Sequence, residues 1–318
     1  MSMVKTQPRP VNRKKLSFGA RVYKDMQKNW RLYILFLPIL IYFLVFKYAP
    51  MFGLSISFMD YKPRKGFLGS KWVGMKHFIA FFTDPYFFRL LKNTLTISLS
   101  TLVFSFPSAI MLALLINELR SRKLSRTVQT ITYMPHFIST VVICGIIRDL
   151  VSRTGGVTMI LSLFGMEPTN MLYEPGYFVP VYVFSDIWQT MGWNSIVYLS
   201  ALTAIDQELY EAAKVDGANK WNQLIHITIP SLIPTIIIMF ILKVGKMFDV
   251  GYEKIMLLYT PLTYETADVI NTYVYRRGME NAQYSYSAAV GFFNSVVCFV
   301  LVFVTNTITR RSSGNSLW

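Results

Sequence analysis

Glu211-Ala212-Ala213-Lys214-Val215-Asp216-Gly217-Ala218, running on through Leu224 and Ile227 to Pro230, is a polar stretch between two long hydrophobic segments. Its residue types do not suit covalent chemistry. Two alanines leave room for another surface to come close. Asp216-Gly217 is turn chemistry, in which an aspartate can cap a following helix and a glycine can take a positive φ. Beyond the glycine, Trp221, Leu224 and Ile225 form an apolar side that leads to Pro230. The stretch therefore predicts two short helices joined at Gly217, placed at the end of a membrane segment and shaped to fit a groove in another protein.

The flanking segments set the fold class. Apolar residues make up 53% of the 318 and charged residues 15%, where a soluble domain carries nearer a quarter. Charge-free runs are long enough for a bilayer, which needs about 20 apolar helical residues. They are Asn93–Asn117, Thr127–Ile147, Trp221–Leu242 and Asn281–Thr309. Two more spans, Leu32 to Leu54 and Tyr177 to Thr203, are each interrupted by one charge, Lys47 and Asp186. The expectation is an all-α membrane protein with six transmembrane helices.

The net charge of +15 raises the question of nucleic acid, and its distribution answers it. Nine Lys or Arg lie in the first 31 residues, four in Arg120–Arg126, and Arg310 and Arg311 follow the last span. With six spans these clusters share one side, which the positive-inside tendency makes cytoplasmic, so no nucleic-acid partner is expected. Both termini and the Glu211 stretch fall on that side. Six basic residues of the first external loop (Lys62, Arg64, Lys65, Lys71, Lys76, Arg89) run against the trend. Residues 1–30 read as a flexible basic cytoplasmic tail without a signal-peptide cleavage site. Residues 31–309 read as one transmembrane domain, with the connection at about 204–230 inside it, and 310–318 as a cytoplasmic tail. Met75–Phe82 and Tyr86–Leu91 read as short interfacial helices, and 152–176 and 249–283 as external loops. Pro107 and Pro135 predict kinks within spans. Cys144 and Cys298 sit in hydrophobic segments as packing residues, and the three histidines lack metal-ligand spacing.

Glu211-Ala212-Ala213, Asp216-Gly217-Ala218, Leu224, Ile227 and Pro230 together resemble the EAA loop of ATP-binding cassette (ABC) importer permeases, with Leu224 where that family usually has Phe. A second set extends the resemblance. Phe248-Asp249-Val250-Gly251-Tyr252, Leu257-Leu258-Tyr259, Asp268-Val269-Ile270, Thr272–Tyr275, Tyr284-Ser285-Tyr286 and Ala288–Gly291 are similar to the LplB-like branch of carbohydrate permeases. The resemblance implies a type I importer half with the six-helix, MetI-like core, which serves oligosaccharides or polysaccharide fragments in the bacterial plasma membrane. It further implies a second, related permease, two ATPase subunits that dock on the EAA loop, and an external solute-binding protein. ATP and Mg2+ would sit on the ATPase subunits. The only Gly-Lys pair, Gly245-Lys246, lacks the glycine-rich approach of a phosphate-binding loop, so neither a catalytic role nor a bound cofactor is expected of this chain.

Polar residues inside spans are the default candidates for a substrate path. Asp186, Gln189 and Trp193 recur at i, i+3 and i+7 and share a helical face, with Trp188 and Asn194 nearby on other faces. A carboxylate and an amide beside an aromatic plane suit a sugar, although polar groups also join membrane helices to one another. Lys243 and Lys246 could pair with Asp186 or reach outward. An ion-coupled transporter would need further buried carboxylates or inverted repeats, and a membrane hydrolase would need paired catalytic groups. The sequence has neither.

Overall fold

The computed structural model describes residues 18–314 and 316–318. Most of the basic tail, residues 1–17, lies outside them. The chain divides into two compact units, up to Ser55 and from Ile56 onward, where the sequence suggests one domain.

In the first unit, α1 (Phe18–Lys28) makes the described part of the tail helical, contrary to the expected flexible segment. Asn29 breaks the run, and the Asp25 carboxylate secures the break by accepting from Asn29 Nδ2 at 2.8 Å and Tyr33 OH at 2.7 Å. From there α2 (Trp30–Phe43) continues through a π turn (Leu44–Tyr48) into a 3-10 segment (Ala49–Phe58).

The second unit opens with a two-stranded antiparallel ribbon, β1 (Met59–Asp60) on β2 (Lys71–Trp72), a small exception to the all-α expectation. A short helix, α3 (Lys76–Phe82), follows. Tyr86–Leu91 is not a separate interfacial helix, because Tyr86 caps α4 (Phe87–Ser100) and the rest forms its first turns. Next come a π turn (Thr101–Ser105) and α5 (Phe106–Asn117), with Pro107 in the first turn of α5. Proline has no N–H to donate backward, and the wider π turn before it absorbs the mismatch without a sharp kink.

Pro135 behaves otherwise. Between α6 (Arg122–Tyr133) and α7 (Thr140–Leu150), the 3-10 turn Met134–Phe137 ends at an extended Ile138, and Ser139 caps α7 by accepting from Val142 N. The two helices meet at 103°, so the expected third span is broken rather than kinked. After α8 (Gly156–Ser162), α9 (Pro175–Thr203) is the central helix of the unit and packs on α4, α5 and α6. A short connection holds α10 (Gln207–Val215) and α11 (Lys220–Gln223), and a π turn (Leu224–Thr228) leads into α12 (Ile229–Gly245). The last helix, α16 (Tyr284–Ser313), takes Arg310 and Arg311 into its final turn, beyond the expected span end at residue 309.

Among the described residues, four helical runs are long and apolar enough to cross a membrane: Trp30–Phe58, Phe87–Asn117, Lys220–Gly245 and Tyr284–Ser313. The bent pair makes a fifth if its two helices count as one span. The expected count of six rests on α9 by length alone, since its 29 residues reach about 44 Å against a hydrocarbon core of about 30 Å.

Residues 249–283 are no open loop. They fold into α13 (Tyr252–Leu258), α14 (Tyr264–Ala267) and α15 (Ile270–Tyr275). Ile255, Leu258, Ala267 and Val269 join Ile143, Cys144, Phe178 and Tyr182 in one buried cluster. Asp268 is fully buried beneath this cap. It accepts from Arg276 Nη2 at 2.6 Å and Thr272 Oγ1 at 2.8 Å, with Arg89 of α4 at 4.0 Å. Nearby, Asp84 accepts from Tyr273 OH at 2.6 Å, Tyr286 OH at 2.9 Å and the Tyr86 N–H at 2.9 Å. Burial alone would raise the Asp84 carboxyl, but these donors and the Arg277 charge hold it below the usual carboxylate range. Its stabilisation is present above the ordinary carboxylate pKa of about 3.9 and is lost as pH falls through the folded value.

Gly192 of α9 sits against the α6 backbone so closely that an added Cβ would lie 2.1 Å from Thr132 O. Small residues allow this kind of approach between membrane helices. Gly192→Ala should therefore part α6 from α9 and cost about 1–3 kcal/mol, whereas Gly291→Ala, with nothing within 4 Å, should cost little. Thermal unfolding of the two purified variants in detergent measures the difference.

Candidate functional site: a polar cavity and a helix–glycine–helix loop

Asp206 starts the loop by capping α10, its carboxylate accepting from Glu208 N at 3.0 Å. At the far end Gly217 takes φ +80°. Ala218 N donates to Ala213 O at 2.8 Å and Gly217 N to Lys214 O at 3.1 Å, the paired bonds of a Schellman ending. Ala213 thus has a backbone role besides its small side chain. Asp216 closes α10 and does not cap the next helix. Asn219 does, accepting from Asn222 N at 2.8 Å, a role the sequence reading missed although Asn is a preferred cap. Gln223 Nε2 ties the corner by donating to Ala218 O, and Tyr210 OH bonds Thr228 Oγ1 at 2.9 Å across the two arms.

The corner is held from within and open outward. Glu211, Ala212, Asp216, Gly217 and Pro230 are exposed, while Ala213, Ala218, Leu224 and Ile227 are half-buried. Ile227 packs on the cluster of Ala113, Tyr198 and Leu232. Val215 is 89% exposed and Trp221 66%, an unusual load of apolar surface on a polar connection.

The second feature is a cavity of about 290 Å³ between α4, α9, α12 and α13. Asp186 and Gln189 both face it, as expected from their spacing. Ser105 Oγ donates to Asp186 Oδ2 at 2.8 Å. Lys243 and Lys246 line the cavity without an ion pair to Asp186 within 4.0 Å, so the proposed pairing does not form. The cation that reaches this face of α9 is Lys254 of α13, which donates from Nζ to Gln189 Oε1 at 3.1 Å. Its ammonium also lies 5.5 Å from the centre of the Tyr182 ring. Sequence reading passed over Lys254 because it sits in what looked like an external loop.

A neighbouring cleft of about 380 Å³ contains Thr190, Asn194 and Tyr198 and shares Lys243 and Lys246 with the first. The structure does not bring Trp193 and Trp188 to either. Trp193 stacks on His136 at 4.6 Å, with ring planes 5° apart, and meets Phe137 edge-on. Seven residues on from Asp186 is about 10 Å along the axis, far enough for the same face to meet a different neighbour. Trp188 faces an apolar groove with Ile147, Leu161 and Phe184. Among the described residues, no three His, Cys, Asp or Glu side chains converge where a metal could sit.

Residues 105–314 match the family described as the binding-protein-dependent transport system inner membrane component, and the chain belongs to that family. Two Bacillus subtilis (strain 168) proteins are similar over most of their length. The polygalacturonan/rhamnogalacturonan transport system permease protein YteP is 44% identical, over 88% of both chains. Protein LplB is 42% identical, over 96% of this chain and 95% of its own. A solved bacterial alginate ABC transporter, in complex with an alginate pentasaccharide-bound periplasmic protein, has a chain that is 43% identical. It superposes with a TM-score of 0.86 over 93% of this chain and all of that one. The expected permease fold is therefore present.

Proposed function

We propose that this chain is one permease subunit of an ABC importer for oligosaccharides or polysaccharide fragments. In this reading it forms half of the path, pairs with a second, related permease and is served by an external solute-binding protein. Two ATPase subunits carry ATP and Mg2+. The observation that carries the reading is the helix–glycine–helix corner, whose exposed Glu211, Val215 and Trp221 surround a rigid, internally bonded turn. Such a surface suits a groove in a partner and transmits force because its own geometry is fixed. The cavity beside Asp186 and Gln189 supplies hydrogen-bonding groups to a hydroxyl-rich solute among otherwise apolar helices. The relatives and the alginate transporter support the carbohydrate class. The test is purification of the complex with its binding protein, followed by a screen of oligosaccharides for stimulated ATP hydrolysis. Stimulation by none of them, with uptake of an unrelated solute, would refute the assignment.

The same reading places residues 1–30, 118–126, 204–227 and 309–318 in the cytoplasm. Cysteines introduced at Ser17 (outside the described residues) and Ser313 should resist a membrane-impermeant thiol reagent in intact cells, and one at Ser70 should react. Labelling at Ser313 without labelling at Ser70 would reverse the orientation.

A further inference from the structure

Lys254 is 5% exposed, and among the described residues no carboxylate lies within 4.0 Å of its ammonium. Its ammonium donates to a neutral amide, Gln189 Oε1, although it has three protons to give. A buried cation satisfied only by an amide and an aromatic face retains an electrostatic demand. Two more ammonium groups, Lys243 and Lys246, line the same cavity, also without an ion pair.

Three acids share the wall and compete for these cations. Asp186 is engaged by Ser105, Asp249 Oδ1 accepts from Asn271 Nδ2 at 3.0 Å, and Glu253 is exposed. None of the three lies within 4.0 Å of a lysine nitrogen, although acids and lysines line one cavity of about 290 Å³. A neutral sugar would leave the lysines unpaired. A sugar bearing a carboxylate would pair with them while its hydroxyls met Asp186 and Gln189.

We infer that Lys254, with Lys243 and Lys246, forms a carboxylate subsite by which the permease selects uronate-containing glycans over neutral ones. This rests on the oligosaccharide-importer reading and adds the charge of the substrate and the residues that read it. Lys254 is then a specificity-determining residue in contact with the solute.

The test uses the full complex with its binding protein in proteoliposomes and compares uptake of a short oligogalacturonate with that of its methyl ester. Esterification removes the charge and keeps the chain, and the binding protein's own preference cancels when variants are compared with wild type. Lys254→Met should lower the acid-to-ester uptake ratio about tenfold or more, and Lys243→Gln with Lys246→Gln should lower it as well. Lys254→Arg should retain most of the preference. If Lys254→Met fails to assemble, the Lys243 and Lys246 pair, which is less buried, decides. An unchanged ratio in the lysine variants, with both glycans imported, overturns the subsite. Import of neither glycan by the wild-type complex overturns the oligosaccharide reading itself.

Discussion

Asp268→Ala is expected to be the most damaging single substitution in the chain, costing about 3–5 kcal/mol. The carboxylate is fully buried, and its loss strands Arg276, whose Nη1 already has no partner among the described residues, and Arg89, whose Nε has none among them either. The cost comes from the cations left behind more than from the bond removed. Replacing the nearer partner as well, Asp268→Leu with Arg276→Met, should therefore recover part of the stability, because an apolar pair needs no counter-charge and only the more distant Arg89 is left unpaired. Thermal unfolding of the two variants in detergent separates the cases. Equal losses in both would mean that the ion pair itself, and not the stranded charge, holds the cap on α4.

Gly217→Val should abolish productive transport while leaving the protein inserted. Nothing lies within 4 Å of the position a Cβ would take, so the penalty is conformational and not steric. A φ of +80° costs a β-branched residue about 1–2 kcal/mol. That is a factor of about 5–30 in the population of correctly formed corners. The Schellman bonds from Ala218 and Gly217 should open, and α11 should lose its alignment with α10. Glu211→Lys reverses an exposed charge without touching the fold, and in the proposed complex it should uncouple ATP hydrolysis from uptake. Normal uptake in both variants would detach this corner from the ATPase.

The loop was legible because its letters have local consequences. Gly217 needs no neighbour to take a positive φ, and Asn219 could have been recognised as a cap by the same local logic. The spans were legible where charge-free runs were long. They were misread where a charge lies inside a helix and finds its partner in distant sequence. Arg89 and Lys92 hid the start of α4, yet Arg89 lies against Asp268, some 180 residues on. The cap was read as a loop for the same reason. Lys254 in α13, Asp268 just after α14 and Arg276 just after α15 look exposed until Gln189 and one another are brought to them by the fold. Helical spacing puts Asp186, Gln189 and Trp193 on one face, yet Asp186 and Gln189 line the cavity while Trp193 meets His136, since angular position says nothing about which neighbour is met further along the axis. Pro135 announced an irregularity, but its 103° depends on Ile138 turning extended, which no single residue type dictates.

The seating of Gly192 on Thr132 gives α9 a fulcrum. From Pro175 to Gly192 the helix reaches about 26 Å, and from Gly192 to Thr203 about 17 Å. Only Ala204, Ile205 and Asp206 separate the shorter arm from α10. A rigid rod resting at that crossing is a lever of unequal arms: a displacement imposed at the α10 end returns at the Pro175 end reversed in direction and enlarged by about half. Asp186 and Gln189 ride on the longer arm at about 9 and 4.5 Å from the crossing, so the groups that face the cavity move in the reversed direction by about a half and a quarter of the displacement imposed at the α10 end.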